Sequence, residues 1–163
     1  MTVIAYDGKT VAADKRGIDG CGLVRTVTKI FRRERDGLVA AITGTHAVGL
    51  EMYEWWRSNS NDKDFPVSAR EDDASLIIIG GGRVLVYTVG PQPVTQEEDQ
   101  VAFGSGRDFA LAAMALGKTA VEAVELACRF QSDCGNGIDT LEPAPRSIYT
   151  DRSANGKVAR WCE

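Results

Sequence analysis

Thr2 follows directly on Met1. A threonine at a chain terminus carries a hydroxyl and an α-amine on one residue. The ordinary pKa of such an amine is about 7.7–8.0, so near neutral pH much of it can accept a proton. Nucleophile and base on the same residue permit acyl transfer without histidine. Initiator methionine is generally removed when the next side chain is small, so Thr2 is expected to become the terminus. Histidine chemistry is scarce here: His46 is the single histidine among 163 residues. Zinc sites built on two or three imidazoles are therefore excluded. His46 stands in Thr-Gly-Thr-His-Ala-Val-Gly, at a strand-to-helix junction, where an imidazole reads as a capping or surface group. Cys21, Cys128, Cys134 and Cys162 form no CxxC pair and no metal-finger spacing. No metal and no organic cofactor is expected.

Three further positions carry chemistry of their own. Asp14 ends an apolar segment, and Lys29 sits in Val-Thr-Lys-Ile-Phe. A lysine among apolar strand residues is costly unless it faces a pocket or a partner. It either does so, or it lies on the solvated side of an edge strand. A cation near the Thr2 amine would lower that amine's pKa, and Asp14 could hold Lys29 charged. Gly104-Ser105-Gly106 lies at a strand-to-helix transition, so Ser105 reads as a presented hydroxyl or as an ordinary N-cap. It is not a nucleophile elbow, because the flanking pattern is Phe-Gly-Ser-Gly-Arg.

The elements that must position these residues are well punctuated. Val3–Tyr6 and Lys9–Asp14 predict a hairpin around an Asp7-Gly8 turn, which supplies the positive φ angles of a two-residue loop. In that register Thr2 lies opposite Ala13, and pleat parity puts Asp14 on the other face. Strands are expected over 22–24, 27–31, 38–42, 75–79, 83–89, 100–103, 147–150 and 158–161. Thr45 is the expected N-cap of a helix through Trp56 or Arg57. Two further helices are expected around Phe109–Leu116 and Val121–Cys128, from their apolar spacing. Gly80-Gly81-Gly82 reads as a hairpin turn rather than a phosphate cradle, since a strand follows it. Hairpin blocks separated by helices predict an α+β arrangement of layered antiparallel sheets with helices outside. No repeat or linker interrupts the chain, so one domain over 1–163 is expected.

Composition narrows the function classes. Lys and Arg number 19 against 23 Asp and Glu, a formal charge of −4, with 44% hydrophobic residues. This acidic balance is poor for binding a nucleic-acid backbone. No run is long and apolar enough for a membrane span, and the N-terminus lacks the basic and apolar regions of a secretory signal. A cytoplasmic location with reduced thiols is expected.

Taken together, these residues resemble the proteasome β-type N-terminal nucleophile (Ntn) hydrolases, and among them the HslV-like peptidases. Thr-Val-Ile-Ala-Tyr at 2–6 matches the mature N-terminal strand of that family. Ala-Ala-Asp-Lys-Arg-Gly at 12–17 matches its Ala-Asp-x-Arg element, carrying over Asp14 and Arg16. Thr-Lys-Ile at 28–30 carries over the catalytic lysine as Lys29. Ala-Ile-Thr-Gly-Thr at 41–45 carries over the oxyanion-hole glycine as Gly44. Gly-Ser-Gly at 104–106 carries over Ser105, and Asp-Cys-Gly-Asn-Gly at 133–137 carries over Asp133, with Asn136 where the family has serine.

The resemblance implies a four-layer αββα sandwich assembled into stacked rings of identical subunits. It implies a threonine peptidase in which Thr2 is nucleophile and its amine the base. Lys29 tunes the amine, Asp14 orients Lys29, and the Gly44 N–H stabilises the oxyanion. Ser105 and Asp133 support the amine, with Arg16 and Asn136 around them, and Val27, Ile42 and His46 line the first specificity pocket. Polypeptide substrates delivered by an ATPase unfoldase are expected by analogy. That only Met1 precedes Thr2 resembles HslV rather than the subunits that carry a propeptide. The rival reading is an inactive ring-forming scaffold or binding protein that retains Met1. A small-molecule amidase with the same N-terminal chemistry is a third, which the Lys29 and Gly-Ser-Gly elements disfavour.

Overall fold

The computed structural model describes residues 2–58, 61–71 and 73–145. Met1, Cys162 and the strands expected over 147–150 and 158–161 lie outside the described residues. The first hairpin forms, but its turn is corrected. Strands β1 (Ile4–Tyr6) and β2 (Val11–Asp14) pair with Ile4 opposite Ala13 and Tyr6 opposite Val11. The connection therefore spans residues 7–10 rather than two. Its cause is the Asp7 carboxylate: Oδ1 accepts from the N–H groups of Lys9 at 3.0 Å and Thr10 at 2.8 Å. An Asx turn thus displaces the tight Asp-Gly turn. The shift of two residues keeps every side chain on its face. It also moves Asp14 opposite Val3, whose carbonyl accepts from the Asp14 N–H at 3.1 Å.

Beyond Asp14 the chain leaves that sheet and forms a separate hairpin. Strand β3 (Arg16–Ile18) pairs with β4 (Val24–Thr26), and β3 is not expected from the sequence. The turn between them is set by Asp19, which accepts from the N–H groups of Cys21 and Leu23. A second sheet follows, in the order β5 (Ile30–Arg32), β6 (Val39–Gly44), β7 (Ala74–Gly80), β8 (Arg83–Tyr87) and β9 (Val94–Gln96). The glycine triplet is a hairpin turn, with Gly80 paired to Arg83 and positive φ at Gly81 (61°) and Gly82 (76°). The first sheet is completed by β10 (Val101–Phe103) beside β1 and β11 (Ile138–Leu141) beside β2.

Among the described residues three α-helices accompany the sheets: α1 (His46–Ser58), α2 (Arg107–Ala115) and α3 (Ala120–Phe130). Thr119 and Glu122 close a capping box at the start of α3, and Asp7 Oδ2 accepts from the Ala120 N–H there at 2.8 Å. Three apolar clusters form the core. Val3, Ala5 and Ala12 of the first sheet pack with Ala113, Met114 and Val124 of α2 and α3. Ile4, Val11 and Ala13 pack with Val39, Ala41, Ile77 and Ile79 of the second sheet. Ala40, Ile42, Leu76 and Ile78, on the other face of those same strands, pack against α1. Because β6 and β7 are covered on both faces, their sequences read as unbroken apolar runs rather than alternating ones. Trp55 and Trp56 both belong to the α1 cluster, at 7% and 4% exposure, so they are core residues. The result is a mixed α+β fold. Among the described residues no helix is long and apolar enough to cross a membrane.

Candidate active site

Thr2 lies at the start of β1 and is 3% exposed. Its backbone nitrogen donates to Ser105 Oγ at 3.3 Å, and the Ser105 hydroxyl donates to the Thr2 carbonyl at 3.4 Å. That carbonyl also accepts from the Gly106 N–H at 3.2 Å. The approach requires glycine in the Gly-Ser-Gly turn: a Cβ on Gly104, whose φ is +87°, would stand 2.1 Å from the Thr2 carbonyl oxygen. The first of the two readings of Ser105, a hydroxyl presented to a partner, therefore describes its contacts.

Behind Thr2 is a buried ion pair. Asp14 is fully buried and Lys29 is 3% exposed, with Nζ to Oδ1 at 2.7 Å. Oδ1 also accepts from the Val3 N–H at 2.9 Å, while Oδ2 accepts from the N–H groups of Arg16 at 3.1 Å and Gly135 at 3.0 Å. The Asp14 side chain thus takes the place a main-chain carbonyl would have at the last rung of the ladder with Val3. Pleat parity is met without a bulge, since the carboxylate reaches around the end of its strand. Burying two charges costs several kcal/mol each, and only close pairing with further hydrogen bonds offsets it. Asp14 has that complement in full.

Gly44 ends β6 with φ +80°, and a Cβ there would lie 1.9 Å from the Asp73 carbonyl oxygen. The Thr45 N–H donates to that same oxygen at 2.8 Å, which fixes the turn into α1. Thr2, Lys29 and Gly44 share a cavity of about 660 Å³. Val27 and His46 line it as expected, but Ile42 does not. Ile42 is 2% exposed and faces α1, against Gly49; Ala47 and Leu50 form that part of the wall instead. Burial first, and the charge of Lys29 second, push the His46 imidazole below its ordinary pKa, so it is neutral at pH 7.

The loop over 131–137 holds two of the expected supporting residues, Asp133 and Asn136. Asp133 Oδ2 accepts from Gln131 Nε2 at 3.1 Å. Asn136, at φ +63°, joins the loop to the β3–β4 hairpin. Its Oδ1 accepts from Arg16 Nε at 3.3 Å, and its Nδ2 donates to the Arg25 carbonyl at 3.1 Å and to Thr26 Oγ1 at 3.3 Å. The loop's direct contribution to Asp14 is the Gly135 N–H, which no side-chain pattern could reveal. Burial, then the charge of Asp14, pushes the Cys128 thiol up to about 11 and the Cys134 thiol above its ordinary value. Neither is a thiolate nucleophile at neutral pH. Among the described residues no three His, Cys, Asp or Glu side chains gather as a metal site.

Against known proteins, the chain matches no family model and no curated protein sequence. Its fold does match solved structures. Eukaryotic HslV from Trypanosoma brucei aligns at TM-score 0.64 and 22% identity, over 86% of this chain and 98% of that one. The chain has an HslV-like fold. BPH from Thiobacillus denitrificans, in complex with epoxomicin, aligns at TM-score 0.66 and 19% identity, over 89% and 100%. A mutant of Anbu from Hyphomicrobium aligns at TM-score 0.63 and 14% identity, over 87% and 81%. At these identities the HslV-like assignment is one of fold.

Proposed function

We propose that this chain is a single-domain, four-layer αββα Ntn hydrolase whose Thr2, once Met1 is removed, hydrolyses peptide bonds. Thr2 Oγ attacks the scissile carbonyl carbon, and its proton passes to the α-amine, directly or through a water. The oxyanion that forms is met by the Gly44 N–H. As the C–N bond breaks, the departing amine takes the proton and an ester to Thr2 remains. Water, deprotonated by the Thr2 α-amine, then cleaves that ester, releasing the acyl segment as its carboxylic acid and restoring the Thr2 hydroxyl. Lys29 keeps the amine's pKa low by like-charge repulsion, and Asp14 holds Lys29 charged and in place. Ser105 orients the amine. Asp133 supports the amine beside Ser105, and Asn136 holds the loop to Arg16.

The observation that carries this reading is the buried Asp14–Lys29 pair, whose Lys29 lines the same cavity as Thr2. A pair so costly to bury has a use at the site where it meets a candidate nucleophile. The HslV-like fold and the epoxomicin complex of BPH support a threonine peptidase. In the same reading the chain is cytoplasmic and works as stacked rings of copies, receiving unfolded polypeptide from an ATPase. The test is hydrolysis of unfolded polypeptide and fluorogenic peptides by the wild type and by Thr2→Ala. Hydrolysis by the wild type with none by the variant is expected. Equal activity in both would remove Thr2 from the mechanism, and retention of Met1 by every molecule would favour the inactive scaffold.

A further inference from the structure

A second cavity, of about 400 Å³, also adjoins Thr2. It shares Thr2, Gly44 and Asp73 with the larger one, and adds Phe103, Ser105 and Arg107 among its walls. Its role depends on Thr2 being the nucleophile of a peptidase. Attack by Thr2 divides a substrate into an acyl segment, held as the ester, and a leaving segment that departs as an amine with the transferred proton. Until the C–N bond breaks, both segments extend from the scissile carbonyl in opposite directions. A nucleophile that fronts two cavities, with Gly44 common to both, suits that geometry. The larger cavity, with Lys29, Val27 and His46, accommodates the acyl segment. We propose that the smaller cavity is the subsite of the leaving segment, and that Arg107 gives it a preference for a carboxylate side chain just beyond the scissile bond.

Arg107 opens α2, so the partial positive charge of the helix N-terminus adds to its own. Its present contacts are loose. Nε lies 3.5 Å from Asp108 Oδ1 and one terminal nitrogen lies 3.5 Å from the Gly104 carbonyl. A guanidinium has five N–H donors, so most remain for a ligand. Asp108 does not line the cavity, and its side chain is 81% exposed, where water screens it. Asp73 lines both cavities and is exposed, so water screens its charge toward either segment. Arg107 belongs to the smaller cavity alone. Phe103 supplies an apolar surface for the stem of the incoming side chain. Because Arg107 is itself 58% exposed, its effect is that of a screened ion pair, roughly two- to five-fold.

The experiment uses internally quenched peptides that differ only in Glu or Lys directly after the scissile bond, with the cleavage position verified by mass. The Glu-to-Lys ratio of kcat/KM is measured in the wild type, Arg107→Gln and Arg107→Glu. The ratio is expected to fall roughly two- to five-fold from the wild type to Arg107→Gln, with Asp73 unchanged in both, and to fall further in Arg107→Glu. A second peptide pair, varied directly before the scissile bond, should give the same ratio in all three proteins. An unmoved leaving-side ratio, or a shift only in the acyl-side ratio, overturns the assignment. Absence of cleavage in the wild type would instead remove the peptidase reading itself, which separates the two failures.

Discussion

Asp7 and Asp14 stand at opposite ends of the β1–β2 pair, and the same side chain does different work at each. Both accept from three backbone N–H groups: Asp7 from Lys9, Thr10 and Ala120, Asp14 from Val3, Arg16 and Gly135. Asp7 is partly exposed and ties a loop to the start of α3, where its contacts account for it fully. Asp14 is fully buried and adds the Lys29 ammonium at 2.7 Å. Architecture alone required no cation at that end, as Asp7 demonstrates at the other. The surplus charge is what marks the Thr2 end as the candidate active site.

The contrast can be broken by substitution, beginning at the Thr2 end. Thr2→Ala should abolish peptide hydrolysis while leaving the far-ultraviolet circular dichroism unchanged. Lys29→Ala should lose nearly all hydrolysis and also stability, because it leaves Asp14 buried without its cation. Breaking a buried pair costs about 3–5 kcal/mol, readable by urea denaturation. At the other end, Asp7→Ala should cost about 1–2 kcal/mol, in line with loss of a capping side chain, and leave kcat/KM unchanged.

That cost should also depend on pH. Burial would raise the Asp7 carboxyl, but the N–H donors of Thr10, Ala120 and Lys9 together hold it below its ordinary value. A depressed carboxyl stabilises the fold above its unfolded pKa of about 3.9, and that stabilisation is lost as pH falls through the lower folded value. The stability gap between wild type and Asp7→Ala should therefore be steady from pH 7 to 5 and close below about pH 4. The smallest effect belongs to Cys134→Ser. With the thiol protonated at neutral pH, activity should stay largely unchanged, measured on the same fluorogenic peptide.

Much of this organisation is legible in the residue string, for reasons that differ by element. The apolar runs at 39–42 and 76–79 are visible because strands covered on both faces exclude polar residues. The Gly80–Gly82 turn announces itself through local chemistry, whereas the Thr119–Glu122 capping box is established by the structure. Strands β3, β9 and β11 escape a reading of the sequence, since each is short and partly exposed, and pairing rather than hydrophobic pattern defines it. The first turn departs from expectation because Asp-Gly satisfies a tight hairpin locally. The deciding acceptor contacts, one of them to Ala120, belong to a longer loop and a distant helix.

The candidate site divides in the same way. Thr2, Asp14, Lys29, Gly44 and Ser105 converge because each sits at an element end that the resemblance could align. Ile42 points away from the cavity because strand parity, not proximity in sequence, decides its face. Asp133 and Asn136 bond to Gln131 and Arg16 through a loop whose conformation depends on two glycines and on the left-handed backbone of Asn136 itself.

The most direct test is the intact mass of the untagged protein purified from cytosol, before and after incubation with epoxomicin. A chain that begins at Thr2 and gains the mass of one inhibitor, with no gain in Thr2→Ala, is the expected result. A chain that retains Met1 throughout, or that takes up the inhibitor equally in Thr2→Ala, would contradict the assignment of Thr2 as the nucleophile.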